Sequence, residues 1–133
     1  IDAQVWSVVS NTVVAHGIAG MAATYHRDAV VVTPQGTMPV ARALAGWGKS
    51  METMKANRSR ASVAFRFSLR QDGPETAFES GIFNYAVTDS AGATTRFIIP
   101  FEALLVRQDA RWLIVMERQF AATDEAAWNA MAR

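Results

Sequence analysis

The stretch from Thr94 to Ala122 constrains the fold most. Its runs Phe97-Ile98-Ile99, Ala103-Leu104-Leu105-Val106 and Trp112-Leu113-Ile114-Val115-Met116 are apolar at consecutive positions. β-Branched and aromatic residues suit a pleated backbone, and strands apolar on both faces need cover on both. The pattern predicts two long strands, 94–108 and 111–121, joined at Asp109-Ala110. Pro100 removes a ladder donor from the first, which points to a bulge or bend there. A long, curved antiparallel sheet is therefore expected, with the other elements arranged around it.

Those other elements follow from periodicity. Ile1, Val5, Val8, Val9, Thr12, Val13 and His16 share one face at helical spacing, so residues 2–16 read as an amphipathic helix ended by Gly17. Residues 20–25 read as a short second helix, and Ala29-Val30-Val31-Val32-Thr33 as a short strand stopped by Pro34. Pro39 suits the first turn of a third helix. There Val40, Leu44, Trp47, Met51 and Met54 form a stripe that packs on the sheet or, at Trp47 and Met51, faces a ligand. Residues 61–70 alternate strictly, and Asp72-Gly73 is a two-residue hairpin signal leading to a strand over 75–88. Thr123 can cap a last helix over 123–131, with Asp124 and Glu125 at its positive end and Trp128 as its anchor. The class is α+β: three N-terminal helices on the concave face of a strongly curved, mainly antiparallel sheet, with a short C-terminal helix. The 133 residues suit a single domain, 1–133.

A tight turn at Asp72-Gly73 would set Arg70 opposite Glu75, Arg66 opposite Glu79, Phe67 opposite Phe78 and Val63 opposite Ile82, two ionic and two apolar pairs. With the next turns at Ser90-Ala91 and Asp109-Ala110, one face carries the rows Val63–Ile82–Ile99–Phe120, Phe65–Ser80–Phe101–Arg118 and Phe67–Phe78–Ala103–Met116. This nearly apolar face belongs under the helices. The other carries Arg66, Glu79, Glu102 and Glu117 in one row, with Tyr85, Arg96, Leu104, Leu113 and Val115 around it, a mixture that suits self-association. Its carboxylates either form an acid–base cluster or pair with arginines. Arg118, the cation of the helix-covered face, needs an anion: Asp28 or Glu52 from the helices, or a ligand carboxylate, phosphate or enolate held bidentately.

Composition excludes other classes. Half the residues are hydrophobic and 19% charged, as in a globular chain, and a formal charge of +1 gives no electrostatic reason for nucleic acid. Lys55, Arg58 and Arg60 cluster without aromatic residues to stack bases. Residues 3–26 lack charge, counting His16 neutral, but hold too many polar and glycine residues to make a membrane span. There is no cysteine, and His16 and His26 sit on separate elements, so no metal or cofactor is expected. No phosphate loop, nucleophile elbow or dinucleotide fingerprint is present. The chain opens at Ile1 without methionine, which leaves a removed leader open and the compartment, cytoplasmic or periplasmic, undecided.

At this point the chain resembles the nuclear transport factor 2-like superfamily, the cystatin-like α+β cone, in its SnoaL-like and ketosteroid-isomerase-like bacterial branch. The matching residues are Met21-Ala22-Ala23-Thr24-Tyr25, Asp28-Ala29-Val30-Val31-Val32, Pro34, Gly36, Ala43-Leu44, Trp47, Ala77-Phe78-Glu79-Ser80-Gly81 and Trp112-Leu113-Ile114-Val115-Met116-Glu117-Arg118-Gln119. The resemblance implies an apolar pocket between the concave sheet and the helices, and a homodimer through the convex face. Its walls would come from Tyr25, Trp47, Met51, Phe65, Phe67, Ser80, Asn84, Phe97, Phe101, Met116 and Arg118. The pattern departs from the superfamily at Val40-Ala41, where a Gly-Arg pair is usual, and at Arg118-Gln119-Phe120, where histidines and a serine often stand.

Three functions remain open. The first is a pocket protein for a hydrophobic, anionic or carbonyl-bearing ligand, held by Arg118. The second is a cofactor-free isomerase, cyclase or dehydratase that takes a proton next to a carbonyl, with Tyr25, Asn84 or Arg118 as donors. The pocket face so built has no base, so His26, Asp28 or Glu52 would have to supply it from the helix side. The third is a non-catalytic dimerisation module. A carboxylate or imidazole inside the pocket separates the second from the others.

Overall fold

In the computed structural model, which describes residues 1–131, a π-helical turn (Asp2–Trp6) runs into α1 (Ser7–Ala15), followed by α2 (Ile18–Ala22). Then come β1 (Tyr25–Thr33), β2 (Gly36–Pro39), α3 (Val40–Ala56), β3 (Arg60–Asp72), β4 (Thr76–Thr88), β5 (Thr94–Gln108), β6 (Arg111–Gln119) and α4 (Glu125–Ala130). One six-stranded sheet has the order β2-β1-β6-β5-β4-β3, antiparallel throughout except for the parallel pair β1–β6. The mixed α+β class, the three N-terminal helices and the short last helix are as expected. No helix among the described residues is long and apolar enough to cross a membrane.

Several local expectations are corrected. His16, not Gly17, takes the left-handed residue after α1, at φ 54°. Its ring contacts the Ser59 carbonyl at 3.2 Å, which fixes the helix end to the start of β3. The second helix stops at Ala22, and Tyr25, His26 and Asp28 lie on β1 rather than on a helix and loop. Asp124, not Thr123, caps α4: its Oδ1 accepts from the Ala127 N–H at 3.0 Å. β6 ends at Gln119, and Thr123 forms an isolated bridge to Ile98.

The larger correction is register. The first hairpin is wider than two residues, closed by the Gly73 N–H on the Thr76 carbonyl at 2.9 Å. Near it Arg70 faces Glu79, not Glu75, and Arg66 faces Ile82, not Glu79. Ser68 is then an extra residue between the pairs Leu69–Ser80 and Phe67–Gly81, a bulge, so that Phe65 faces Phe83. A Cβ at Gly81 would lie 2.0 Å from the Arg66 carbonyl oxygen, so only glycine allows this approach. On the other side Gly81 faces Phe101, and Phe101 faces Gln119, where Ser80 and Arg118 were expected. A second bulge at Val115 separates the pairs Leu104–Met116 and Leu105–Ile114. Shifts by an odd number exchange faces. The faces of β5 and of β3 up to Phe67 are therefore as expected, while those of β3 beyond its bulge, of β4, and of β6 beyond its bulge are reversed.

Two layers cover the sheet. On the concave side Trp6 packs on Phe65, Phe67 and Phe101 at ring distances of 5.0, 5.7 and 5.4 Å. On the convex side α4 lays Trp128 over Ile82 and Ile98, and Arg66 is held there, its Nη1 donating to the Trp128 carbonyl at 2.8 Å. Glu79, 0% exposed, joins the N-terminal turn to the sheet. It accepts from Trp6 Nε1 at 2.7 Å and from Arg70 Nε and Nη2 at 3.0 and 3.1 Å, while Arg70 also binds Asp2. Burial alone would raise the Glu79 carboxyl, but bonds from Arg70, Asp72 and Trp6 hold it below its ordinary range.

Removing the guanidinium would strand a buried charge. Arg70→Met is expected to lower stability by about 3–5 kcal/mol at pH 7, read from urea unfolding. Without Arg70, burial raises the Glu79 pKa above its unfolded value, so its contribution is lost as pH rises. The deficit against the wild type therefore shrinks toward acid. A loss below about 1 kcal/mol, the ordinary surface-pair value, would contradict the assignment.

Candidate functional site

The concave face and the helices enclose a cavity of about 380 Å³, near the lower end of the roughly 300–1,000 Å³ usual for small-molecule sites. β3 contributes Val63 and Phe65, β4 Phe83 and Tyr85, β5 Phe97, Ile99 and Phe101, and β6 Glu117 and Gln119. The helices add Trp6, Val9, Val13, Met21, Trp47, Met51 and Met54, and Tyr25 enters from β1. Tyr25 packs on Trp47 with ring centroids 6.1 Å apart. Phe97 is 43% exposed, which makes it part of the cavity's rim.

The polar centre is Glu117, 7% exposed. Its Oε1 accepts from Tyr25 Oη at 2.5 Å and its Oε2 from Gln119 Nε2 at 2.7 Å. Burial raises its pKa above the ordinary 4.5, and the bonds from Tyr25 and Gln119 offset that only in part, because neither brings a positive charge. Tyr25 is driven well above 10, by burial first and then by the Glu117 charge and bond, so the shared proton stays on the phenol. A buried acid whose pKa is raised is a candidate for proton transfer.

Tyr25, Trp47, Met51, Phe65, Phe97 and Phe101 line the cavity. Phe67 lies behind it, against Trp6. Ser80, Asn84, Met116 and Arg118 are corrected: the register turns all four to the convex side. Arg118 is exposed, 3.9 Å from Glu102 and stacked over Phe120, so it holds nothing in the cavity. His26 and Asp28 stay outside too: His26 Nδ1 accepts from the Asp28 N–H at 3.0 Å, and Asp28 borders a shallow groove between β1 and β2. Of the residues assigned to a convex self-association face, Glu79, Tyr85 and Glu117 point inward, Arg66 is covered by α4, and Val115 is the bulge residue. Arg96, Glu102, Leu104 and Leu113 do lie on that outer face. Glu117 and Gln119 were missed as site residues; an odd shift in one register would have brought both inward.

No protein-family model matches the sequence, and no curated protein matches it. Solved structures do match. The Aln2 protein from a Streptomyces species aligns with a TM-score of 0.75 at 16% identity, over 94% of this chain and 89% of that one. A nuclear transport factor 2-like protein of unknown function from Shewanella oneidensis aligns at 0.68 and 14%, over 89% and 94%. A ketosteroid isomerase-like protein from Erwinia carotovora atroseptica aligns at 0.62 and 15%, over 92% and 95%. The chain has the nuclear transport factor 2-like fold.

This fold sets the cone; the residues inside set the chemistry. Because the Tyr25 bond lowers the Glu117 pKa, Tyr25→Phe is expected to raise it further. In protein labelled with ¹³C at the glutamate carboxyls, the Glu117 titration midpoint should move up in that variant. Stability should follow: Glu117 favours the fold most below its unfolded value, and the loss on raising pH should run further in Tyr25→Phe. A midpoint that stays put or falls would show that Tyr25 does not tune the acid.

Proposed function

We propose that the cavity takes a neutral, largely apolar small molecule bearing a carbonyl, and that Glu117 moves a proton at the carbon beside it. The observation that carries this reading is Glu117 itself, the one carboxylic acid among the described lining residues, held by Tyr25 and Gln119. Among the described residues no lysine, arginine or histidine lines the cavity. An anionic ligand would therefore meet the Glu117 charge with no cation to offset it, and Arg118 no longer argues for one. In the reaction, the Glu117 carboxylate takes the proton, the C–H pair moves toward the carbonyl oxygen, and an enolate forms. The second N–H of the Gln119 amide, beside Glu117, is a candidate donor to that oxygen. The proton then returns from Glu117 to the same or a conjugated carbon, so no cofactor is consumed. The ketosteroid isomerase-like neighbour is compatible with this class of reaction.

The test is hydrogen–deuterium exchange beside the carbonyl of a panel of mono- and bicyclic ketones in D₂O, followed by NMR. The folded protein should accelerate exchange in at least one. Glu117→Gln should remove about 10²–10⁴-fold of that rate while tryptophan fluorescence still reports binding. Exchange that survives in Glu117→Gln would reject the role.

We further propose that a second copy covers the convex face. Leu104 is 43% exposed there, and Glu102 and Arg118 sit in direct cross-strand register with opposite charge, so a two-fold can pair each with its mate. Sedimentation should give a dimer for the wild type and a monomer for Leu104→Glu; identical profiles would refute the interface.

A further inference from the structure

We infer that Trp6 is the residue that sets how large a molecule the cavity admits, and that Glu79, behind it, is the positioning residue that makes this limit sharp. The inference rests on the reading that the cavity takes a small molecule, and is independent of the proton transfer assigned to Glu117. The first observation is where Trp6 stands. The concave row Phe67–Gly81–Phe101–Gln119 lies four residues along β5 from the rim at Phe97. At about 3.4 Å per residue that is roughly 14 Å of strand. At Gly81 this row has no side chain, and the Trp6 ring packs on the two that flank it, 5.7 Å from Phe67 and 5.4 Å from Phe101. Trp6 and Phe101 line the cavity and Phe67 does not, so the indole is the inner stop. Gln119 follows Phe101 in the same row, so this stop bounds the space beside the Glu117–Gln119 pair.

The second observation is what holds the ring. Trp6 Nε1 donates to Glu79 at 2.7 Å, and Glu79, 0% exposed, does not line the cavity. Arg70 donates to both oxygens of Glu79, at 3.0 and 3.1 Å. The acceptor is thus an ionised carboxylate fixed in place, and hydrogen bonds to such groups are the strong ones. The main chain before the ring is pinned as well. Gln4 Oε1 accepts from the Trp112 N–H at 2.8 Å, its Nε2 donates to the Ala110 carbonyl at 3.3 Å, and Asp2 binds Arg70. Room at this end is made only by swinging the indole, which breaks its bond to Glu79. Met51 and Met54 elsewhere in the wall are unbranched and adapt to what they touch. A phenylalanine at position 6 would give apolar contact too; the indole N–H adds a fixed position. The cavity therefore yields along its helix wall and refuses bulk at Trp6.

The probes are cyclic ketones of graded ring size, cyclohexanone to cyclopentadecanone, titrated by calorimetry, with thermal melting to confirm each fold. In the wild type, affinity should climb with ring size and then drop by about 10- to 100-fold, the worth of one hydrogen bond to a charged group. Trp6→Phe keeps an aromatic ring without the N–H and should move the drop to a larger ring. Glu79→Leu removes the acceptor, leaves Arg70 to Asp2, and should shrink the drop below threefold. Glu79→Gln, whose amide oxygen still accepts, should restore it. Rings below the drop should bind all four proteins within threefold, which a general loss of packing would not allow. No drop in the wild type, or one that stays in place in Trp6→Phe, would overturn the stop. A drop unchanged in Glu79→Leu, or lost equally in Glu79→Gln, would overturn the positioning role. No binding of any ring at millimolar concentration would overturn the cavity reading and this inference with it. Deuterium exchange on the same ketones keeps the two ideas apart. A drop that moves in Trp6→Phe without Glu117-dependent exchange supports the stop and rejects the proton transfer. Glu117-dependent exchange with an unmoved drop does the reverse.

Discussion

The close approach of Gly81 to the Arg66 carbonyl fixes which side of each strand faces the helices. No other residue fits there, because even a methyl group would lie 2.0 Å from a backbone oxygen. The extra residue Ser68 sits beside this contact, so β3 bends and changes register with β4 at one place. Glu79 thereby turns inward to Trp6 and Arg70, and Phe83 and Tyr85 turn toward the cavity, while the separate bulge at Val115 carries Glu117 and Gln119 into it. Trp6 serves both systems, since its ring lines the cavity while its N–H binds Glu79. The seal at the N-terminal turn and the cavity wall are therefore one piece of packing.

The strand-forming runs and the helical stripe were legible because each rests on a repeat of side-chain type. Trp47 and Met51 follow from the α3 stripe, and Phe65 and Phe101 from alternation in strands whose faces were set independently of the turns. What alternation cannot show is a bulge. Ser68 and Val115 each add one residue without breaking the local pattern, and the first turn uses more residues than Asp72-Gly73 alone. The ionic pairs drawn for that tight turn were also misleading. Arg66, Arg70, Glu75 and Glu79 offer opposite-charge partners in more than one register, and the pair that forms, Arg70 with Glu79, belongs to another. Arg118 and Glu117 exchanged roles for this reason: a cation was sought in the cavity and an acid is there. Tyr25 pointed toward the site by its resemblance, but its partner came from β6, too distant in sequence for any spacing argument.

Two buried glutamates on one sheet face illustrate how partners, not burial, decide chemistry. Glu79 and Glu117 are both out of water, and burial pushes both toward the neutral form. Glu79 meets a guanidinium, which keeps it ionised and structural. Asp72 beside it is raised to about 6 by burial and by its bond to Glu79. Glu117 meets a phenol and an amide, donors without charge, so its two protonation states stay closer in energy. That difference is why the proposed proton transfer is assigned to Glu117 and not to Glu79.

The cavity's size bears on the same point. The cavity of about 380 Å³ opens to solvent beside Phe97, 43% exposed, and the rings of Phe65, Phe83 and Phe101 keep its walls apart. Water can occupy such a space only where it finds partners, which this cavity offers at Glu117 and Gln119 and again at Tyr85. Elsewhere the lining is mostly apolar, and any molecule that binds there in preference to the unfolded chain adds to the stability of the fold.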